Sequence, residues 1–445
     1  MTAPHGGLDR VMAELASRFP AEDRMQPDLE RIQLLCDLLG DPQKAYPAIH
    51  LTGTNGKTST ARMIDGLLRE TALRVGRYTS PHLNRVNERV VVDGEPLPEE
   101  RFAEVFDEVS PYVELVDSRS PQRMTFFEVL TGLAFAAFAD APVDVAVLEV
   151  GLGGRWDATN VVQAQTCVVL PIGLDHTSLL GTTVKEIATE KAGIIHEGAT
   201  VVLSAQPPEA AEVLLRHCVD VGATVAREGL EFGVVDRRTA VGGQVLSLQG
   251  LTARYDDLFL PLHGAHQAAN AAAAVAAVEA FLGHGAPLDS ELLRAALAGV
   301  TSPGRLEVVR SSPTVIVDAA HNPQGMAATV DALTDAFAFT HLVAVVAVMA
   351  DKDARTMLEV LDPAVASVVV TQTSSPRAMP LDELRALAVD VLGEERVAVE
   401  DRLDDALDTA VALADAEAVG GGGVGVLVTG SVVAAGEARA LLAHR

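Results

Sequence analysis

Two successive α/β domains, each on a mostly parallel sheet, are predicted by three observations. Short apolar runs closed by glycine recur from about residue 45 onward. Longer helical patterns separate them. At residues 301–305 the stretch TSPGR punctuates the chain, and the same alternation then starts afresh.

In chain order, YPAIHLTG (46–53), VDVAVLEVG (143–151) and QTCVVLPIG (165–173) read as buried parallel strands, because each is short, apolar and ended by glycine. KTSTARMIDGLLRET, EERFAEVFDEVSPYVELV and FFEVLTGLAFAAFAD are the helices between them. Residues 228–262 differ: GVVDRRTAVGGQVLSLQG alternates between glycine turns and predicts an antiparallel excursion. After the break, PTVIVDAAHNP, HLVAVVAVMAD, VASVVVTQTS and VGVLVTGS read as strands of a second domain. The run VGGGGVG before the last of them is a flexible loop by composition.

The 445 residues are enough for two or three domains, and only 4 % are aromatic, so the cores must be built from Ala, Val and Leu. A formal charge of −27 argues against general binding to nucleic acid or anionic membrane, both of which need a basic footprint. Cys36, Cys167 and Cys218 lack metal-site spacing and read as buried thiols in a reducing cytosol. MTAPHGGLDR has no apolar signal segment, and AANAAAAVAAVEAFLG reads as a packed Ala-rich helix, so a cytoplasmic protein is expected.

LTGTNGKTST (51–60) carries the chemistry. It lacks the glycine that the common phosphate loop has five residues before its Gly-Lys pair, that place being Leu51. The working parts remain: Gly53 and Gly56 for the turn, Lys57 as a point charge at a helix start, and the Thr58 hydroxyl for a cation or phosphate oxygen. An ordinary glycine-rich βα turn is the bland alternative. Placement between an apolar strand and a good helix favours nucleotide. Open α/β sheets bind ligands at the carboxyl ends of their strands, and four further stretches fall there. They bring Ser80 and His82 (YTSPHL), Glu149 (LEVGLGGRWDATN), Asp175 and His176 (PIGLDHTSLLG) and Lys191 (ATEKAGII). Glu149, a carboxylate closing an apolar strand, needs a partner or a metal ion; a lone histidine or helical lysine says little.

TGTNGKTST, TSPHL, RVNERV, LEVGLGGRWDATN, GLDHTSLLG, EKAGII, HQAANAAAA, SPGRLEVV and DAAHNPQG, in this order, resemble folylpolyglutamate synthases and bifunctional dihydrofolate synthases of the Mur-ligase-like superfamily. The resemblance implies a P-loop ATPase domain with a pterin/folate site over residues 1–301. A smaller Rossmann-like α/β domain would follow over 302–445 and contribute to ATP and glutamate binding. The implied reaction is ATP-dependent addition of L-glutamate to dihydropteroate and/or reduced folates through an acyl phosphate.

The resemblance also carries residue roles. Gly53, Thr54, Asn55, Gly56, Lys57, Thr58 and Ser59 would bind ATP with Asn270, Arg305, Asp318 and His321. Ser80 and Glu149 would ligate one Mg²⁺, Glu149 and His176 a second, with Lys191 carbamylated into an anionic ligand. Lys57, Glu149, His176 and Lys191 would form the catalytic set. His82, Arg85, Arg89, Phe126 and Asp157, with Asn87 nearby, would meet the pterin or folate, and Trp156 would either stack on the pterin or fill its loop. Glutamate is expected at His321, with Arg377 and Ser431 added by strand-end placement. A monomer is implied, and a monovalent cation belongs among the expected cofactors. Rival readings are a folylpolyglutamate synthase without the dihydropteroate activity, a Mur-type cell-wall amino-acid ligase and a nucleotide-binding module without catalysis. Only about fifty residues precede the phosphate loop, too few for the extra nucleotide domain of a cell-wall ligase.

Overall fold

The computed structural model describes residues 7–18, 28–283, 285–418 and 423–443. Residues 1–6 of the N-terminal stretch and 419–422 of the glycine run lie outside the described residues. The chain forms two bodies, one of residues 1–236, 247–258 and 269–300, the other of 237–246, 259–268 and 301–445.

The first body is built on eight strands: β1 (Ala48–Thr52), β2 (Val75–Tyr78), β3 (Val90–Val92), β4 (Glu95–Pro96), β5 (Val145–Glu149), β6 (Thr166–Val169), β7 (Thr200–Leu203) and β8 (Thr224–Arg227). Their order is β4-β3-β2-β5-β1-β6-β7-β8. The pairs from β2 across to β8 are parallel, and β3 and β4 add antiparallel edges. Every residue of β1, β5 and β6 is buried, which is why these three read as continuous apolar runs. β1 lies between β5 and β6, so the loop that follows it opens at the middle of the sheet.

The helices cover these faces. Lys57–Glu70 follows β1 directly. Phe126–Asp140 starts on a capping box, with Thr125 Oγ1 accepting from the Glu128 amide while the Glu128 carboxylate accepts from the Thr125 amide. That helix buries Phe135 and Phe138, and the Phe138 ring meets Tyr46 edge-on at 6.1 Å. The Ala-rich helix Ala265–Leu282 is buried from Ala271 to Glu279, and no helix among the described residues is long and apolar enough to cross a membrane. All three cysteines are buried free thiols.

The predicted excursion is a three-stranded sheet of β9 (Gly233–Ala240), β10 (Gly243–Gln249) and β11 (Arg254–Leu260), with β10 in the centre. Connections this short permit only antiparallel neighbours. The second body carries β12 (Glu307–Ser311), β13 (Thr314–Val317), β14 (His341–Val346), β15 (Ser367–Val370), β16 (Val397–Val399) and β17 (Val424–Thr429) in the order β12-β13-β17-β14-β15-β16. Five are parallel and β12 pairs antiparallel with β13. The two strands not expected from the sequence, β12 and β16, are its edges.

Phe138 supplies a direct test of the core. Phe138→Ala leaves a cavity beneath β2 and should destabilise the protein by about 3–5 kcal/mol, read from the denaturant midpoint.

Candidate functional site

The chain leaves β1 at Thr52 and turns through Gly53–Gly56 into the helix starting at Lys57. Gly53 has φ 147° and Gly56 φ 88°. A Cβ on Gly53 would lie 2.7 Å from that of Leu170, and one on Gly56 2.6 Å from Oδ1 of Asn270. Glycine is therefore required at both, and Asn270 lies against the loop. Thr54 ties the turn to the next strand end, its amide donating to the Pro171 carbonyl at 3.0 Å and its hydroxyl to Gly173 O at 3.0 Å. The first-turn amides of helix 57–70 thus face the carboxyl edge of the sheet, a ready anion site.

Two lysines share one acceptor there. Lys57 Nζ donates to Gly53 O at 3.0 Å and to Thr54 O at 3.2 Å, and Lys191 Nζ donates to the same Gly53 oxygen at 2.9 Å. Lys191 is buried in the helix Val184–Ala192. Burial first, and the nearby Lys57 charge second, draw its amine down to about 7.

Glu149, 1 % exposed at the end of β5, accepts from the Thr58 hydroxyl at 2.9 and 3.0 Å and from the Ser80 amide at 3.2 Å. Ser80, Thr58 and Glu149 are thereby gathered. Among the described residues no three His, Cys, Asp or Glu side chains cluster for a metal ion. A single buried carboxylate flanked by serine and threonine is instead the donor set that suits Mg²⁺, which takes few protein ligands and completes its shell with water and phosphate. His176 stands on the loop after β6 with left-handed backbone (φ 49°), its amide donating to Asp175 Oδ1 at 2.8 Å.

Of the residues expected around a pterin, His82, Arg89 and Phe126 come together. Arg89 Nε donates to His82 Nδ1 at 2.9 Å, and its guanidinium carbon sits 5.1 Å from the Phe126 ring centroid. Burial, helped by the Arg89 charge, holds the His82 imidazole down to about 4, so it is neutral. Asp157 is buried in the Gly-rich loop after β5: Oδ1 accepts from the Thr159 amide (3.0 Å) and hydroxyl (2.5 Å), Oδ2 from the Leu152 amide (2.8 Å). Arg85 is exposed and paired with Glu99. Asn87 is buried, donating to the Leu97 carbonyl at 2.8 Å. Trp156 is 48 % exposed.

In the second body, Asp318 follows β13 and His321 lies three residues on. Asp318 Oδ1 accepts from Ala320 N (2.9 Å) and Thr329 Oγ1 (2.8 Å), and Oδ2 accepts from Leu306 N (2.9 Å). It ties its loop to Leu306 and to the helix Pro323–Ala336. His321 Nδ1 donates to Ala319 O at 2.9 Å. The loop after β17 joins this one through Gly430 N to Ala320 O at 3.1 Å, which sets Ser431 beside His321 along the sheet edge. Ser431 Oγ caps the helix Val432–Ala443 by accepting from Ala434 N at 3.0 Å. Arg377 lies beyond β15, two strands from β17, and pairs with Asp351 at 3.1 Å. Arg305 Nη1 donates to Gly304 O at 3.1 Å.

Sequence reasoning passed over His50 and Thr52 in β1. A histidine inside an otherwise apolar buried strand was the available signal. His50 Nε2 lies 2.8 Å from Thr159 Oγ1, and Thr52 Oγ1 donates to Gly153 O at 2.8 Å.

Comparison with known proteins places this geometry. Residues 51–278 match the family described as the Mur ligase middle domain, and 304–432 that described as the Mur ligase, glutamate ligase domain. A Mycobacterium tuberculosis protein named dihydrofolate synthase/folylpolyglutamate synthase is 49 % identical over 96 % of this chain and 92 % of its own. The structure of Mycobacterium tuberculosis folylpolyglutamate synthase complexed with ADP aligns at TM-score 0.95 and 49 % identity, covering 98 % of each chain. Escherichia coli FolC in complex with DHPP and ADP aligns at TM-score 0.85 and 29 % identity over 100 % of both chains.

The close approach at the loop predicts that Gly53→Ala weakens ATP binding about tenfold to a hundredfold, as a strained loop costs about 1–3 kcal/mol. Calorimetric titration with a non-hydrolysable ATP analogue measures it.

Proposed function

Because this chain belongs to the dihydrofolate synthase/folylpolyglutamate synthase family of Mur ligases, we propose that it is an ATP-dependent ligase joining L-glutamate to dihydropteroate and to reduced folates. The observation that carries this reading is the convergence of Lys57, Lys191, Thr58 and Glu149 around the phosphate loop. A carboxylate is a poor electrophile, and attack by it on a γ-phosphoryl group sets two anions against each other. Lys57 and the first-turn amides of its helix hold the phosphates and offset that repulsion. The acyl phosphate so formed is attacked by the α-amine of glutamate, which leaves an amide and releases phosphate.

Glu149, Ser80, Thr58 and His176 would hold Mg²⁺, which when bound neutralises charge on the phosphate oxygens. Lys191 is suited to carbamylation: its neutral amine nitrogen bonds to the carbon of CO₂, loses a proton, and becomes an anion of carboxylate type. His82, Arg89, Phe126 and Asp157 would receive the pterin or folate, with Oδ2 the Asp157 atom that keeps acceptor capacity. Asn270, and in the domain running from about residue 302 Arg305, Asp318 and His321, would contact ATP. Glutamate would meet His321, Ser431 and Arg377. The enzyme would work as a cytoplasmic monomer on small molecules, without nucleic acid or membrane.

Glutamate-dependent phosphate release with Mg²⁺, run on 7,8-dihydropteroate and on a tetrahydrofolate with product masses checked, tests the reading. Turnover on both, each gaining one glutamyl mass, is the expected result. Turnover on the folate alone would reduce the protein to a folylpolyglutamate synthase, and silence on both would reject the ligase reading.

Carbamylation has its own pH signature. The Lys191 amine is charged below about 7 and neutral above it. At fixed dissolved CO₂ the carbamate should therefore grow as pH rises through that value, seen as a ¹³C carbamate resonance after equilibration with ¹³CO₂. Lys191→Ala should lack the resonance and most of the activity, with partial return on added short carboxylates. Full activity in Lys191→Ala would sink the assignment.

A further inference from the structure

We propose that Thr159, oriented by His50, is a positioning residue for the pterin end of the substrate: its hydroxyl engages Oδ1 of Asp157 and leaves Oδ2 as the atom offered to the ligand. This rests on the reading of Asp157 as a pterin contact.

The directions of the hydrogen bonds follow from the donor inventory. An ionised carboxylate only accepts, so the single hydroxyl proton of Thr159 points to Asp157 Oδ1 across 2.5 Å. The same oxygen then accepts from His50 Nε2 at 2.8 Å, which must carry the proton. His50 is fully buried, and burial holds its imidazole down to about 3, so it serves as a neutral donor. Its other nitrogen, Nδ1, finds no partner among the described residues, as fits a ring whose proton is on Nε2. The chain therefore runs His50 to Thr159 to Asp157, with each member buried.

A second contact grips the same loop. Thr52 lies two residues beyond His50 on β1, on the same face of the strand, and holds the Gly153 carbonyl at 2.8 Å. The next residue is Gly53, whose carbonyl takes both lysines. One rigid strand thus presents the phosphate loop from its end and the Asp157 loop from its side. The carboxylate is held at a set position relative to the phosphates, which an alignment of acceptor and γ-phosphoryl group requires.

The test compares Thr159→Val, which keeps shape and deletes the hydroxyl, with Thr159→Ser, which keeps the hydroxyl, and with Asp157→Asn. KM for 7,8-dihydropteroate and for tetrahydrofolate, KM for ATP and kcat are measured on each. Thr159→Val should raise both pterin KM values by about tenfold, the worth of one hydrogen bond to a charged group. Its KM for ATP should stay within about twofold, and Thr159→Ser should return the pterin KM to within about twofold of the parent. His50→Leu should give a smaller rise in pterin KM, since Thr159 keeps its hydroxyl and loses its orientation.

Equal pterin KM values in Thr159→Val and Thr159→Ser would overturn the proposal. So would a rise in the KM for ATP that matches the rise for the pterin, because that marks a brace for the whole loop. If Asp157→Asn raises the pterin KM and Thr159→Val does not, the role of Thr159 fails alone. An unaltered pterin KM in Asp157→Asn removes the underlying reading as well. Should Thr159→Val lack a cooperative thermal transition, Thr159→Ala makes the same deletion and carries the same two outcomes.

Discussion

Two ammonium groups converge on the carbonyl oxygen of Gly53, and much of the first body is arranged to allow it. A single peptide oxygen cannot offset two full charges in a buried setting. The deeper amine, Lys191, yields by tending toward neutrality, drawn down by burial and by the nearby Lys57. The glycine turn, the strand end and the helix start all bear on this meeting. Bulk of any kind at Gly53 would push into Leu170 and shift the carbonyl on which both lysines depend.

This local concentration of positive character stands against a chain of formal charge −27. The net charge of the chain gives anionic substrates no general attraction. Short-range donors stand at the loop in its place: oriented amides, one lysine head and the hydroxyl of Thr58 beside Glu149. Contacts of that kind act only at short range.

How much of this could be read from residues alone follows the physics of each element. β1, β5 and β6 were legible because strands covered on both faces carry continuous apolar runs closed by glycine. β12 and β16 were not, since an edge strand is half exposed and a three-residue strand has no period to detect. Motif order supplied Lys57, Thr58, Ser80 and Glu149, which the fold gathers, and Arg85, whose exposed side chain pairs with Glu99. The bonds of His50 and Thr159 were hidden because they join residues 109 apart in the chain through side chains with no pattern of their own. Trp156 was open between two roles, and a half-exposed side chain decides neither.

β1 is hydrogen-bonded on both flanks and buried along its whole length. Strands in that situation release their amides to solvent exchange only when the whole domain opens. The phosphate loop follows this strand and the Asp157 loop is held to it by His50 and Thr52, so their geometry inherits the global stability of the domain and is insulated from fraying at the sheet edges. A lesion far away that lowers overall stability will surface at the site as a smaller fraction of competent molecules, with the catalytic constants of each folded molecule unchanged.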